Sequence, residues 1–383
     1  MAEGIDFELA EEVFAGSIDG TVGLEEEFAL LDPETLELVP RFDLLRDAAS
    51  HDPALDRSVA GELIRSEIEI RSGAGANLAE AQALQRDHRS RLFGLAAANG
   101  TALGACGTHP WADYRDQQII DTDHYRRVED DLRWVAWRNN TFSLHVHVGV
   151  RGVERAVRVC DRLRPVLPWL LAISASSPFL DGRDSGLASV RSQIFTKSFP
   201  RCGLPDAFGS WGAFRDYLEL LQEVRSIVEY TQVWWSVRPH LSFGTVEVRI
   251  CDSQPTAAES DALASLITAC VLQAARDEDE GRPLIDLPAT LLEENMWRAI
   301  RYGLDGRLID FESRSEFASG ESLDRLLAWT APIRAERGIE PAFPARNASQ
   351  RQRDALQSGR TIREVYADLV RETEATYAPG VAA

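Results

Sequence analysis

The stretch Thr245-Val246-Glu247-Val248-Arg249-Ile250-Cys251-Asp252 decides how this chain is read. β-Branched residues alternate with polar ones, and Gly244 and Pro255 punctuate the run, which marks a strand. Side chains two apart share one face of a strand. Thr245, Glu247 and Arg249 therefore point one way, and Val246, Val248 and Ile250 the other. The second set suits a core. The first sets a carboxylate beside a guanidinium, a combination suited to holding a metal and a phosphate.

Three further stretches repeat this layout. Thr21–Leu30 reads as the first strand, with Val22, Leu24, Phe28 and Leu30 on one face and Gly23, Glu25 and Glu27 on the other. Glu26 falls on the apolar face and should find an arginine there. Leu63–Arg71 is the second, with Ile64, Ile68 and Ile70 toward the core and Arg65, Glu67, Glu69 and Arg71 on the polar side; Glu62 lies just before it. Phe142–Val150 is the third. Phe142, Leu144, Val146 and Val148 face the core, and Ser143, His145, His147 and Gly149 do not. Gly149 permits close backbone approach on the histidine side.

Between and beyond the strands the pattern is largely helical. Asn77 with Glu80 three residues on opens a helix to Gly100, and one or two helices follow across Thr122–Trp137. Residues 153–176 read as a buried helix kinked near Pro165 and Pro168. Residues 178–209, rich in Gly, Ser, Pro and Arg, read as a long functional loop. Helix follows from Trp211 to Tyr230, a capping box at Thr256–Glu259 starts another to about Arg276, and Leu287–Ala378 is mostly helical. With no internal repeat or low-complexity linker, one domain over 20–378 is expected. Its sheet core covers about 20–280 and a mostly helical part about 284–378, after a loose acidic lead-in over 1–19.

The composition excludes several classes of function. A net charge of -20 over 383 residues argues against a nucleic-acid backbone as partner. No apolar run reaches the roughly 18 residues of a membrane span, and the acidic start, Met1–Gly20, lacks the basic region of a signal peptide. The five cysteines are scattered without CxxC spacing, as expected of reduced thiols in a cytoplasm. Lys197 is the single lysine, so phosphate contacts fall mainly to arginine forks.

Each polar strand face alone could be the solvent side of an antiparallel sheet. Together they carry Glu25, Glu27, Glu67, Glu69, His145, His147, Glu247 and Arg249, mostly Glu and His rather than the mixture a solvated face shows. Several carboxylates on one sheet repel unless cations sit between them. Mg²⁺ takes oxygen ligands and bridges carboxylates to phosphates. Glu and imidazole around Mg²⁺ or Mn²⁺, with Arg nearby, is the chemistry of nucleotide phosphates. The chain lacks a GxxxxGK[ST] loop, a glycine fingerprint after a strand and a GxSxG elbow. His-Val-His as a zinc pair lacks suitably spaced Cys partners. His88, His109, His124 and His240 read as structural or surface residues.

Gly23-Leu24-Glu25-Glu26-Glu27-Phe28, Glu67-Ile68-Glu69-Ile70-Arg71, His145-Val146-His147-Val148-Gly149 and Gly244-Thr245-Val246-Glu247-Val248-Arg249 resemble the glutamate–cysteine ligase type 2 family. Asn295-Met296-Trp297-Arg298-Ala299-Ile300-Arg301-Tyr302-Gly303-Leu304-Asp305 does so too, and the resemblance spans about residues 20–375. These are carboxylate–amine ligases related to glutamine synthetase. The resemblance implies an α+β, glutamine-synthetase-like catalytic fold: a funnel of curved, mostly antiparallel sheet with helices on its outer face. ATP enters one end, and divalent metals line the inner wall. It implies ATP-dependent amide formation through an acyl phosphate, with weak glutamate–cysteine ligase activity giving γ-glutamylcysteine.

Position by position, Glu25, Glu27, Glu69, His145 and Glu247 match the family's metal ligands, and Glu62 a further carboxylate near the metals. Arg249 matches a phosphate-binding arginine, and His147 and Arg238 stand where nucleotide phosphate is contacted. Arg249 and Glu67 are the candidate catalytic residues, although Glu67 and Glu69 both fit one motif position. Arg298 and Arg301, and Arg183, Arg191, Lys197 and Arg201 in the 178–209 segment, are candidate substrate contacts. A homodimer is expected by analogy. Two rivals stay open: a guanidino-kinase-like phosphotransferase, which would stop at phosphoryl transfer, and a nucleotide-binding regulatory protein without turnover.

Overall fold

The computed structural model describes residues 4–378. The alternating stretches build one 7-stranded sheet. Its strands are β1 (Val22–Leu31), β2 (Val59–Ala60), β3 (Glu67–Arg71), β4 (Ala102–Gly104), β5 (Ser143–Gly149), β6 (Val237–His240) and β7 (Thr245–Asp252). The spatial order is β6-β7-β5-β1-β3-β2, with β4 on β1 beyond the end of β5, and every pairing is antiparallel. This is the α+β fold expected from the resemblance.

The alternation gives the sheet two unlike faces. Val22, Leu24, Leu144, Val146, Val148, Val246 and Val248 enter the main apolar cluster with the helices Val153–Leu163, Leu167–Ser174 and Ala257–Asp279. Phe28, Leu30, Ile68 and Ile70 pack on Leu92 and Phe93 of the helix Leu78–Ala98. Burial of these side chains, each contributing roughly 1.5–3 kcal/mol, fixes the register, because a one-residue slip would turn the charged face inward. Glu26 meets its arginine as expected: Arg89 of the helix Leu78–Ala98 pairs with it in the apolar layer.

Several elements differ from expectation. β3 begins at Glu67, because residues 65–66 turn and Arg65 pairs with Asp43 at 3.0 Å, off the polar face. The 178–209 segment is not simply a loop. It contains the helix Val190–Ser198, whose N-cap Ser189 accepts a bond from the Ser192 N–H. The described part of the lead-in is not loose either. Phe7–Gly16 is a helix capped by Asp6, and its Ala10 and Phe14 enter the core. The helix opening at Trp211 ends at Glu223, and Tyr230 starts a separate 3₁₀ turn. The C-terminal part includes a hairpin, Arg307–Asp310 with Ser315–Ala318.

Gly149 works as its position suggests. A Cβ there would lie 2.3 Å from the Ile18 carbonyl oxygen, so only glycine lets residues 17–21 cross the strand end. All five cysteines are free thiols. Among the described residues no helix is long and apolar enough to cross a membrane.

Candidate active site

Antiparallel register turns the polar alternation into rungs across the sheet. Arg238, Glu247, His147 and Gly23 lie opposite one another in succession on β6, β7, β5 and β1. The next rung runs His145, Glu25, Arg71, and beside it Glu27 faces Glu69. β7 carries a bulge here. Val248 faces Val146 but Cys251 faces Leu144, so Arg249 and Ile250 together oppose His145. The extra residue bends the strand, as bulges near active sites do. Arg249 pairs with Glu247, and its Nη1 lies 3.5 Å from His145 Nδ1.

These rungs bring together the residues singled out from the sequence. Glu25, Glu69 and His145 form one group whose ligand atoms lie within 4.8 Å of one another. Glu25, His147 and Glu247 form a second on the same criterion, and Glu27, Glu62 and Glu69 a third. Shared members make the three groups one continuous band along the wall. Glu67 belongs to none of the three, but it lines the same cleft.

The electrostatics follow from burial and neighbours. Burial works to raise Glu247, but Arg238, with Nε at 2.6 Å, and Arg249 hold its carboxyl well below the usual range. Burial also opposes ionisation of Glu25, and the neighbouring His147, His145 and Arg71 outweigh it and hold its carboxyl well below the usual range. The other end is different. Desolvation and the Glu27 charge push Glu62 up to about 7. Desolvation with the surrounding carboxylates drives Glu67 and Glu69 well above the usual range, although Arg71 pairs with Glu69. Burial and Arg249 lower His145 and favour its neutral form, the form that ligates metals.

The donor set fits divalent cations. Glu67 Oε2 and His147 Nε2 are buried without a hydrogen-bond partner. His147 Nε2 stands 3.5 Å from Glu25 and 3.8 Å from Glu247, while its Nδ1 is fixed 3.0 Å from the Thr245 hydroxyl. Carboxylates crowded with one or two imidazoles, too close for comfort unless charge is compensated, suit Mg²⁺ or Mn²⁺. Glu25, Glu27, Glu62, Glu69, His145 and Glu247 are the residues that would hold them.

The band floors a cleft of ≈ 320 Å³. Residues read as structural or surface enter it: His240 lies two after Arg238 on β6, on the same face, and His124 reaches the rim. Period-two parity from Arg238 was the available signal for His240. Burial lowers His240 to about 3, so it stays neutral. His88 and His109 lie elsewhere, bonded to the Arg71 and Leu36 carbonyls. Of the candidate substrate contacts only Arg191 lines the cleft. Arg298 pairs with Glu294 and Glu316, Arg301 bonds the Gly186 carbonyl, and Lys197 pairs with Glu293. Arg201 bonds the Gln232 carbonyl, and Arg183 is exposed.

The profile of glutamate-cysteine ligase family 2 (GCS2) matches residues 21–371. A Rubrobacter xylanophilus protein provisionally named glutamate–cysteine ligase 2-2 is 37% identical over 373 residues, covering 96% of this chain and 95% of its own. A Solibacter usitatus protein provisionally named glutamate–cysteine ligase 2 is 36% identical over 370 residues, covering 92% and 93%. Among solved structures, the Francisella tularensis glutamate–cysteine ligase in complex with AMP superposes with a TM-score of 0.69 at 10% identity, over 95% of this chain and 90% of that one. A bifunctional glutathione synthetase from Pasteurella multocida gives 0.67 at 12% identity, over 97% of this chain and 54% of that one. These two likenesses are of fold. The chain belongs to glutamate–cysteine ligase family 2 and is an enzyme of the ligase class.

Proposed function

We propose that this chain is an ATP-dependent carboxylate–amine ligase that works through an acyl phosphate and has weak glutamate–cysteine ligase activity. The observation that carries the reading is the continuous band of three overlapping ligand groups, bordered by Arg249, Arg238 and Arg71 in one cleft. The relatives' names and the AMP bound by the Francisella ligase support the choice of nucleotide and substrates.

In the first step a carboxylate oxygen of the acid substrate bonds to the γ-phosphorus of ATP, the bond to the β-phosphate oxygen breaks, and ADP leaves. Two anions must meet, so the barrier is largely electrostatic. Mg²⁺ or Mn²⁺, when bound by Glu25, Glu27, Glu62, Glu69, His145 and Glu247, supplies charge that offsets the triphosphate. Arg249, held by Glu247 at the bulge, presents a fixed guanidinium to the developing charge. Arg238 and His147 border the position assigned to nucleotide phosphate. In the second step the amine nitrogen attacks the activated carbonyl, the carbon–oxygen bond to phosphate breaks, and the amine's surplus proton passes to a base. The unpartnered Oε2 of Glu67 in the cleft supports assigning that role to Glu67.

The test is ADP release from Mg²⁺-ATP with glutamate and cysteine, with mass spectrometry of the products. ADP with a new amide supports the ligase. A phosphorylated acceptor without an amide, or ATP binding without ADP release in any amine and acid mixture, contradicts it.

A further inference from the structure

Two aromatic clusters line the cleft. Beside His147, the His240 and Phe243 rings stack with centroids 4.1 Å apart, and Phe243 is 57% exposed at the rim. Beside Arg249 lies a second surface, made by Phe195, Phe199 and Trp234. Phe195 and Phe199 have centroids 5.2 Å apart, and Phe199 and Trp234 5.9 Å. Arg191 and Phe195, four apart on the helix Val190–Ser198, present one face of it to the cleft.

This second surface is built firmly into the catalytic wall. Arg191 is 2% exposed, and its two terminal nitrogens donate to the carbonyls of Ile250 at 3.1 Å and Arg249 at 3.2 Å, the residues of the bulge. Its Nε is buried without a partner, and its guanidinium carbon lies 5.7 Å from the Phe195 ring centre. On the other side the Arg249 N–H donates to the Ser236 carbonyl at 2.8 Å, tying the segment that carries Trp234 to the same bulge. The aromatic wall, the unpartnered donor and the phosphate-binding arginine are therefore held by one bonded unit.

We propose that this wall receives the side chain of the acceptor amine, and that the acceptor is an α-amino acid with a planar apolar side chain. The inference rests on the ligase reading above. ATP and the acid substrate are anionic and belong on the charged band, and with phosphate assigned to His147 and Arg238 the base would lie on the adjoining His240–Phe243 stack. What remains for the Phe195 cluster is the attacking amine. Its ring would stack on Phe195 and Trp234, and its carboxylate would take the free Arg191 Nε–H. The small side chain of cysteine would leave most of that wall uncovered.

The experiment compares kcat/KM for phenylalanine, tyrosine, phenethylamine, alanine and cysteine with Mg²⁺-ATP and glutamate. Hydroxylamine serves as an acceptor that needs no side-chain pocket. Phenylalanine or tyrosine should exceed cysteine and alanine by about tenfold or more, as side-chain fit in an apolar pocket allows. Phenethylamine, lacking the carboxylate, should fall between. Phe195→Ala should lower the ratio of phenylalanine to hydroxylamine turnover about tenfold with KM for ATP unmoved, and Phe195→Tyr should restore the ratio. Amide formation with cysteine equal to or better than with phenylalanine overturns the acceptor class and leaves the ligase standing. A rise in the KM for ATP in Phe195→Ala, rather than for the amine, assigns the wall to the base and overturns it too. Neither hydroxamate nor ADP with any acceptor overturns both readings.

Discussion

Replacing Arg89 with methionine should destabilise the fold at least as much as removing the Glu26–Arg89 pair altogether. Arg89 is 1% exposed and Glu26 2%, both in the apolar layer between β1 and the helix Leu78–Ala98. The Glu26 carboxylate accepts from Arg89, from Gln85 at 2.7 Å and from Ser260. Arg89 also bonds Asp261 at 2.8 Å and lies 5.0 Å from the Tyr377 ring centre. Arg89→Met leaves a buried carboxylate with only neutral donors, a change that destabilises by about 3–5 kcal/mol. Glu26→Leu with Arg89→Met removes both charges. The remaining loss is the bonds of Gln85, Ser260 and Asp261, about 1 kcal/mol each and partly recovered by packing. The double variant should therefore be no less stable than Arg89→Met alone, and the two changes should be non-additive by about 2 kcal/mol. Urea denaturation followed by tryptophan fluorescence reads both as midpoint shifts at constant slope. A loss below about 1 kcal/mol in Arg89→Met, or a double variant as weak as the sum of the singles, would refute the reasoning.

Glu247→Gln, which removes a proposed metal-holding carboxylate and the partner of Arg249, or Arg249→Ala, which removes the guanidinium proposed to face the phosphoryl group, should lower turnover by on the order of 10²-fold at saturating Mg²⁺; near-normal turnover in either contradicts those roles. His109 accepts from the Ala112 N–H at 3.0 Å and bonds the Leu36 carbonyl at 2.8 Å, an arrangement satisfied by the neutral ring, and burial lowers it to about 4. Because the unfolded ring takes its proton at higher pH, stability is full above about pH 6.5 and falls as pH drops toward 4, by about 3 kcal/mol in all. His109→Gln should flatten that limb of the denaturation midpoint against pH, and an unchanged slope would show that His109 does not drive it. Gly149→Ala would press its Cβ to 2.3 Å from the Ile18 carbonyl, and a melting temperature unchanged from the parent would contradict the close crossing described here.

The polar wall of the cleft was readable from the sequence because strand parity is simple. Glu25, Glu27, Glu69, His145, His147, Glu247 and Arg249 alternate with core residues at period two, and antiparallel pairing then sets them side by side. Glu26 was legible for the same reason, as a charge of wrong parity among core residues. The bulge was not, because nothing in Val248-Arg249-Ile250-Cys251 announces an extra residue; its carbonyls are bonded by Arg191, far off in sequence. The helix Val190–Ser198 was hidden by the Gly, Ser and Pro residues around it, while its Ser189 cap was the local signal that counted. Phe7–Gly16 was masked by its acidic exposed side, although Ala10 and Phe14, four apart, mark an apolar face. Arg298 and Arg301 lay in a matching motif, but that motif sits on the helix Ala289–Tyr302, and neither side chain lines the cleft.

The central claim is that the band of carboxylates and histidines activates a carboxylate by transferring phosphate to it. Turnover of Mg²⁺-ATP with glutamate labelled with ¹⁸O in its carboxyl groups, and hydroxylamine as acceptor, tests this through the mass of the released phosphate. An acyl phosphate predicts one ¹⁸O atom in each phosphate formed, because the oxygen that attacked the γ-phosphorus leaves with it. Phosphate free of ¹⁸O, formed alongside ADP, would contradict the account.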